Sequence, residues 1–532
     1  MSSHLLQRYV DNCANLYPEK TAVADAITSL SYRELNIQSN KLARYLKDSG
    51  IPRGGHVLLC MKRSAQYIVA IMGVLKADAV YVPIEARTPE QRRSQVIKDC
   101  QPYALICDDE TTRKLLVHES FSILAPVVIS LGTQRRIPVA ININLITREK
   151  LEMYDGDHLE YKNRGDAIAC IFYTSGSTGS PKGVMISHRN IDEYIAWAVD
   201  RIGVRQDDKI LSTAPFYFDM SLFDVYYSLR VGATLCIASE TMVLFPAKLV
   251  QFAEGQKVTI WKGVSSLLMY LARTGAISNS HLPTLRTILF AGETLHTKYL
   301  IQWMRTFPEK IFYNAYGPTE ATGISMYYRV DKMPRSADER IPIGKPCENT
   351  EVFLLDENNK PVPRGEPGEL YIKSICLAKG YLNDPVKTKE SFINNPVKPK
   401  QRERVYRTGD YARLREDGNY EFLGRKDDQV KFMGYRIELP DIEQALVSIE
   451  GVRDAGTVLY ESSQTGLKEL VAYLEVDNEA SLSKIMAELK NRLPHYMVPT
   501  RLERIERLPR SDRGKIDRQA LLNYHNEKAC EK

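Results

Sequence analysis

At 532 residues the chain is longer than one hydrophobic core accommodates, so two or more domains are expected. Its 44% hydrophobic and 26% charged residues are those of a folded globular enzyme. The net charge of +6 is small for this length, and no basic run is interleaved with aromatics, so nucleic acid is not an expected partner. The nine cysteines lie scattered without a CxxC pair, which argues for a reducing compartment rather than for disulfides or zinc. Residues 1–13 lack the apolar core of a signal peptide, and the apolar stretch near Ile68 to Ile84 is broken by Lys76 and Asp78. A cytoplasmic location away from the membrane is expected.

Residues 1–165 alternate helix and strand signals. Ser31-Tyr32-Arg33-Glu34 reads as a capping box opening a helix with Leu35, Leu42 and Leu46 on its apolar side. His56–Met61, Ala79–Pro83 and Tyr103–Cys107 read as short strands, an order that predicts right-handed βαβ units and a largely parallel sheet. Residues 166–340 repeat the pattern, with strands expected at Ile168–Tyr173, Lys209–Ser212, Thr234–Ile237, Val258–Trp261, Thr287–Phe290 and Lys310–Asn314. From 341 to 424 the chain turns β-rich with Gly/Pro punctuation, which fits a compact β subdomain. A charged stretch at 425–429 follows, then an independent α+β pattern over 430–532. The expected architecture is α/β: a large N-terminal domain, 1–424, of parallel βαβ-rich subdomains plus a β-rich one, hinged to a small C-terminal α+β domain.

One loop stands out, Tyr173-Thr174-Ser175-Gly176-Ser177-Thr178-Gly179-Ser180-Pro181-Lys182-Gly183, entered from an apolar strand. Glycines let backbone amides converge on an anion, hydroxyls add donors, and Lys182 adds a mobile cation, which suggests polyphosphate binding. Taken alone the loop also suits a solvated Ser/Gly turn. It is not the GxxxxGK[ST] loop, because Gly183 follows Lys182. Further on, Asn314-Ala315-Tyr316-Gly317-Pro318-Thr319-Glu320 joins an aromatic at a Gly-Pro turn to an acid that could hold Mg²⁺ beside phosphates. Asp410, in Tyr406-Arg407-Thr408-Gly409-Asp410, offers an acceptor pair for a ribose diol. Lys515 lies in Arg513-Gly514-Lys515-Ile516-Asp517-Arg518, within a basic stretch that could equally be a solvated face.

Together these stretches, in this order over about residues 10 to 520, resemble the adenylate-forming superfamily. The closest likeness is to stand-alone amino acid adenylation enzymes of the nonribosomal peptide synthetase and D-alanine–carrier protein ligase type. The resemblance implies ATP and Mg²⁺ as cofactors. It assigns Thr174, Ser175, Gly176, Ser177, Thr178, Gly179 and Lys182 to the phosphates, Ala315, Tyr316 and Gly317 to adenine, and Asp410 to ribose. Thr319 would touch the α-phosphate, Glu320 the metal, Arg425 the nucleotide and Asp427 the hinge. Lys515 would bridge the substrate carboxylate and α-phosphate, offsetting the repulsion of two anions in the transition state. Arg513 stands where the family usually has Asn, outside the catalytic position.

The same resemblance places Asp219, Met220, Phe223, Lys262, Leu289, Ala291, Ala315, Gly323 and Ile324 around the substrate. Asp219 in Phe218-Asp219-Met220-Ser221 reads either as the cap of the next helix or as the partner of a substrate α-ammonium. The second reading favours an amino acid, because a buried unpaired carboxylate is costly in an acyl tunnel. Lys262 is the polar exception in a greasy pocket. In similar pockets a lysine here often accompanies aspartate or asparagine. If it instead snorkels to solvent, a small residue such as proline or alanine would fit. No Gly-Gly-x-Ser carrier signature follows Lys515, so the expected acceptor is the phosphopantetheine thiol of a separate carrier protein, served by a monomeric enzyme. The alternatives are an acyl- or aryl-CoA ligase of the same superfamily and a nucleotide-binding module without catalysis.

Overall fold

The computed structural model describes residues 4–116, 127–132, 144–175, 181–278, 281–425, 427–462, 466–477, 480–510 and 516–530. The chain divides into two compact units. One comprises Met1–Ala86, Ile97–Tyr173 and Gly183–Gly424, the other Arg87–Val96, Thr174–Lys182 and Arg425–Lys532.

The first unit is a mixed α/β body built on two large sheets and a smaller one. In the first large sheet the described strands run Lys345–Pro346, Met326–Arg329, Ile311–Tyr316, Thr287–Ala291, Ile260–Val264, Lys209–Ser212, Thr234–Ile237, Thr21–Ala24 and Ser29–Ser31. Its interior strands are parallel and its edges antiparallel. The second runs Gly380–Tyr381, Lys182–Ser187, Ile168–Thr174, Val80–Pro83, His56–Cys60, Ala104–Cys107, Val127–Ser130 and Asn144–Ile146. Its central strands, Val80–Pro83, His56–Cys60, Ala104–Cys107 and Val127–Ser130, are parallel and buried almost throughout, as strands of a parallel sheet covered on both faces are. Thr350–Leu355, Pro367–Ser374, Arg404–Leu414, Phe392–Asn394 and Tyr420–Arg425 form an antiparallel β subdomain.

The Ser31 capping box is present: its hydroxyl accepts from the Glu34 amide, and the Glu34 carboxylate takes the Ser31 amide at 2.7 Å. The helix it opens, Tyr32–Asp48, buries Leu35, Leu42 and Leu46. Several strands end a residue or two from expectation, among them Ile311–Tyr316 where Lys310–Asn314 was expected, and one is displaced further. Where Val258–Trp261 was expected, the strand is Ile260–Val264, displaced by the positive φ of 56° at Lys257 and continued through Lys262. A lysine ends an apolar run on paper, but here its charge is met inside the fold, so the ladder carries on.

The second unit contains a hairpin of Gln429–Phe432 with Tyr435–Glu438 and a three-stranded sheet of Val452–Glu461, Lys468–Val476 and Arg501–Arg504. Helices Leu439–Val447, Leu482–Arg492 and Arg518–Cys530 accompany them. Among the described residues, no helix is long and apolar enough to cross a membrane.

Candidate active site

The parallel strands of the first large sheet carry several of the residues that the resemblance assigns to the substrate at their carboxyl ends, where open α/β sheets hold their ligands. Register explains the grouping. Ser212 pairs with Lys262, Lys262 with Leu289, and Leu289 with Tyr313, so one row of side chains crosses one sheet face. Two residues further along, Val264, Ala291 and Ala315 form the next row. The helix Ser221–Val231 adds Phe223, whose ring stacks on Tyr227 with centroids 4.3 Å apart.

Asp219 is not the cap of that helix. Met220 occupies the cap position without a side-chain bond, and the half-buried Asp219 carboxyl instead pairs with the Thr319 hydroxyl. Burial raises its pKa above the ordinary aspartate value; the Thr319 bond and the Lys262 charge oppose that rise, and Glu320 adds to it. Thr319, Glu320 and Lys262 thus all act on Asp219.

Lys262 does not reach solvent. It is 2% exposed, donates to the Met220 carbonyl, lies 5.1 Å over the Phe223 ring and stands 3.8 Å from Asp224 Oδ1. Burial lowers its pKa, against the pull of Asp224 and Asp219. Asp224, fully buried, is pushed up to about 6 by desolvation, with Lys262, the Ser212 hydroxyl and Arg63 favouring its charge.

Past the Ile311–Tyr316 strand, the chain turns tightly. A Cβ on Gly317 would lie 1.7 Å from the Gly323 carbonyl oxygen, so only glycine fits there. Thr322 and Gly323 take positive φ of 59° and 84°, and the Thr322 hydroxyl donates to the Cys376 carbonyl at 2.6 Å. This pins Gly323 and Ile324 against Tyr194, which a Gly323 Cβ would approach to 3.0 Å.

Glu320 is 1% exposed, and its Oε1 accepts from the Tyr381 hydroxyl at 2.8 Å. The Tyr316 hydroxyl donates to Asp410, whose amide is held by Thr408 Oγ1 at 3.0 Å, and the Tyr316 ring lies 6.3 Å from that of Phe422. The residues assigned to base and sugar therefore meet in one cluster.

In the second unit, Thr174 ends its strand, the Ser175 hydroxyl donates to the Arg436 carbonyl at 2.7 Å, and Lys182 opens the next strand. Arg425 forms a two-point ion pair with Asp427, its Nε 2.6 Å from Oδ1. Gly176, Ser177, Thr178, Gly179 and Lys515 lie outside the described residues.

Sequence reasoning missed Asp224, Tyr194 and Tyr381. Asp224 had one signal, an acid adjoining Phe223 on the same helix. Tyr194 and Tyr381 had none, since each enters the site from a segment outside the motifs.

The model of the AMP-binding enzyme family matches residues 10–382, and that of the AMP-binding enzyme C-terminal domain matches residues 441–515. The chain belongs to this family of adenylate-forming enzymes, in its nonribosomal peptide synthetase branch. It is 35% identical over 504 residues to gramicidin S synthase 2 of Brevibacillus brevis, covering 95% of this chain but 11% of that protein. It is 33% identical to zwittermicin A synthase ZmaJ of Bacillus cereus, covering 96% of this chain and 93% of the relative. Holo-PA1221, described as a nonribosomal peptide synthetase protein containing adenylation and carrier domains bound to a vinylsulfonamide inhibitor, superposes with a TM-score of 0.82 at 25% identity. That match covers 98% of this chain and 84% of the other. Several of the curated relatives are much longer, the chain spanning about a tenth of their length.

Enzymes of this type use ATP and Mg²⁺. The described residues fit that demand: Glu320 supplies a single buried carboxylate oriented by the Tyr381 hydroxyl. Magnesium held by one carboxylate and substrate phosphates needs no more.

Proposed function

We propose that the protein activates an amino acid as its aminoacyl adenylate, releasing pyrophosphate, and passes it to the phosphopantetheine thiol of a carrier protein. The observation that carries the reading is the half-buried Asp219 carboxyl, held by Thr319 and adjoined by Glu320. An acid there is matched by an α-ammonium, whereas an acyl tunnel would leave it uncompensated. The chain's likeness to holo-PA1221, whose description names adenylation and carrier domains, supports the carrier part of the reading.

In this scheme Asp219 fixes the ammonium and so aims the substrate carboxylate at the α-phosphate, near Thr319. Mg²⁺ bound at Glu320 would offset phosphate charge. Tyr316 and Asp410 hold base and ribose, with Thr174, Ser175, Lys182 and their loop on the phosphates. Lys515 stabilises charge where two anions meet. Arg425 contacts the nucleotide, and Asp427 serves as the hinge residue.

The test is amino-acid-dependent pyrophosphate exchange. Asp219→Ala is expected to lower kcat/KM for the best amino acid by roughly 100-fold, the scale of losing one partner of a buried charge pair. Thioester formation with free coenzyme A, and none with a carrier protein, would replace the carrier reading with that of a CoA ligase.

A further inference from the structure

We infer that the pocket takes an amino acid whose side chain is neutral and offers a hydrogen-bond acceptor, a carboxamide or a hydroxyl, and that Asp224 sets this specificity by balancing Lys262. This rests on the adenylation reading above and names the substrate class of the same site.

A buried lysine in an otherwise apolar pocket would ordinarily call for an anionic ligand. Here the anion is already supplied. Asp224 stands 3.8 Å from the Lys262 ammonium, and both side chains are almost wholly excluded from solvent. The charged groups around the pair can be enumerated from each element facing it. Asp219 acts on Lys262, Arg63 acts on Asp224, and Glu320 acts on Asp219. In the adenylation reading Asp219 is taken by the substrate α-ammonium and Glu320 by the metal, which leaves Asp224 as the counter-ion of Lys262. A side-chain carboxylate would have to compete with Asp224 for Lys262, and a side-chain ammonium would add a second cation beside it.

Lys262 still directs the choice among neutral side chains. An ammonium has three N–H donors; the Met220 carbonyl takes one, and Asp224 at 3.8 Å is beyond hydrogen-bond length. A substrate oxygen that accepts from Lys262 removes the cost of a buried donor, which an alkyl side chain cannot do. The small and apolar neighbours, Leu289, Ala291 and Ile324, restrict the remaining volume.

The experiment is pyrophosphate exchange by the full chain with asparagine, serine, threonine, aspartate, alanine and leucine, on wild type and two variants. In wild type, kcat/KM for the best of asparagine, serine and threonine is expected to exceed that for aspartate at least tenfold. Asp224→Asn leaves Lys262 unopposed, and the aspartate-to-asparagine ratio of kcat/KM should rise at least tenfold. Lys262→Met removes the donor, and the polar preference should give way to alanine or leucine. This second variant keeps the inference exposed if Asp224→Asn does not fold. Aspartate leading in wild type, an unmoved ratio in Asp224→Asn, or an intact polar preference in Lys262→Met would each overturn the inference while leaving adenylation standing. Absence of exchange with every amino acid would overturn both.

Discussion

Tyr381 holds Glu320 with one hydrogen bond, 2.8 Å long, to a carboxylate that is almost completely buried. A bond to a charged acceptor contributes about 1.5–3 kcal/mol, so its loss should be felt wherever the orientation of Glu320 matters. Tyr381→Phe is expected to raise the Mg²⁺ concentration for half-maximal pyrophosphate exchange roughly tenfold, with KM for the amino acid little changed. A magnesium titration of both proteins decides it; equal requirements would show that Tyr381 does no more than fill space. Gly317 illustrates a purely steric constraint. Its missing Cβ makes room for the Gly323 carbonyl, so Gly317→Ala must displace the segment bearing Gly323 and Ile324. Overpacking of this kind costs about 1–3 kcal/mol. The expected outcome is a lower Tm together with loss of exchange, checked by thermal unfolding and the exchange assay.

At the scale of elements, the helix His188–Ala198 is tied to the N-terminal segment by a buried histidine. The Leu6 amide donates to His188 Nδ1 at 3.4 Å, which requires the neutral ring, and burial pushes the His188 pKa down to about 4 against the attraction of Asp78 and Asp192. In the unfolded chain a histidine takes up its proton near pH 6.5. Between that value and about 4 the unfolded state therefore binds more protons, so stability falls as the pH drops through this window. Unfolding in urea at pH 7 and pH 5 should show a loss of about 2 kcal/mol attributable to this group, and His188→Gln should lessen that difference. The Ile260–Val264 strand shows why element boundaries can mislead. Lys262 looks like the end of an apolar run until Asp224, from a helix 38 residues earlier, supplies its counter-charge.

For the whole molecule, the described apolar clusters stay within one unit each. The largest draws on residues from Leu6 to Ala412, whereas the cluster around Ile437, Leu446, Leu474 and Leu489 belongs to the second unit alone. Each unit thus has a core of its own. Leu474→Ala, at a fully buried position of the Lys468–Val476 strand, is expected to destabilise the second unit by about 2–5 kcal/mol. Calorimetry should show the transition of that unit lowered and the transition of the first unchanged; a single transition shifted as a whole would argue against independent cores.

Much of this architecture was legible in order and composition, because alternation of short apolar strands with amphipathic helices is a local pattern that dictates a parallel sheet. The Ser31 capping box, the strands Lys209–Ser212 and Thr234–Ile237, and the β-rich stretch after residue 341 were readable for that reason. The neighbours of Tyr316, Glu320 and Asp410 in the chain likewise single those residues out as candidates. What folding alone decided is who meets whom. Asp219 left its helix cap for Thr319, Asp224 met Lys262, and Tyr381 came to Glu320 across 61 residues of sequence. Charge acts through space at a few ångströms, so the balance of a buried pocket depends on register and packing that no single stretch of sequence contains.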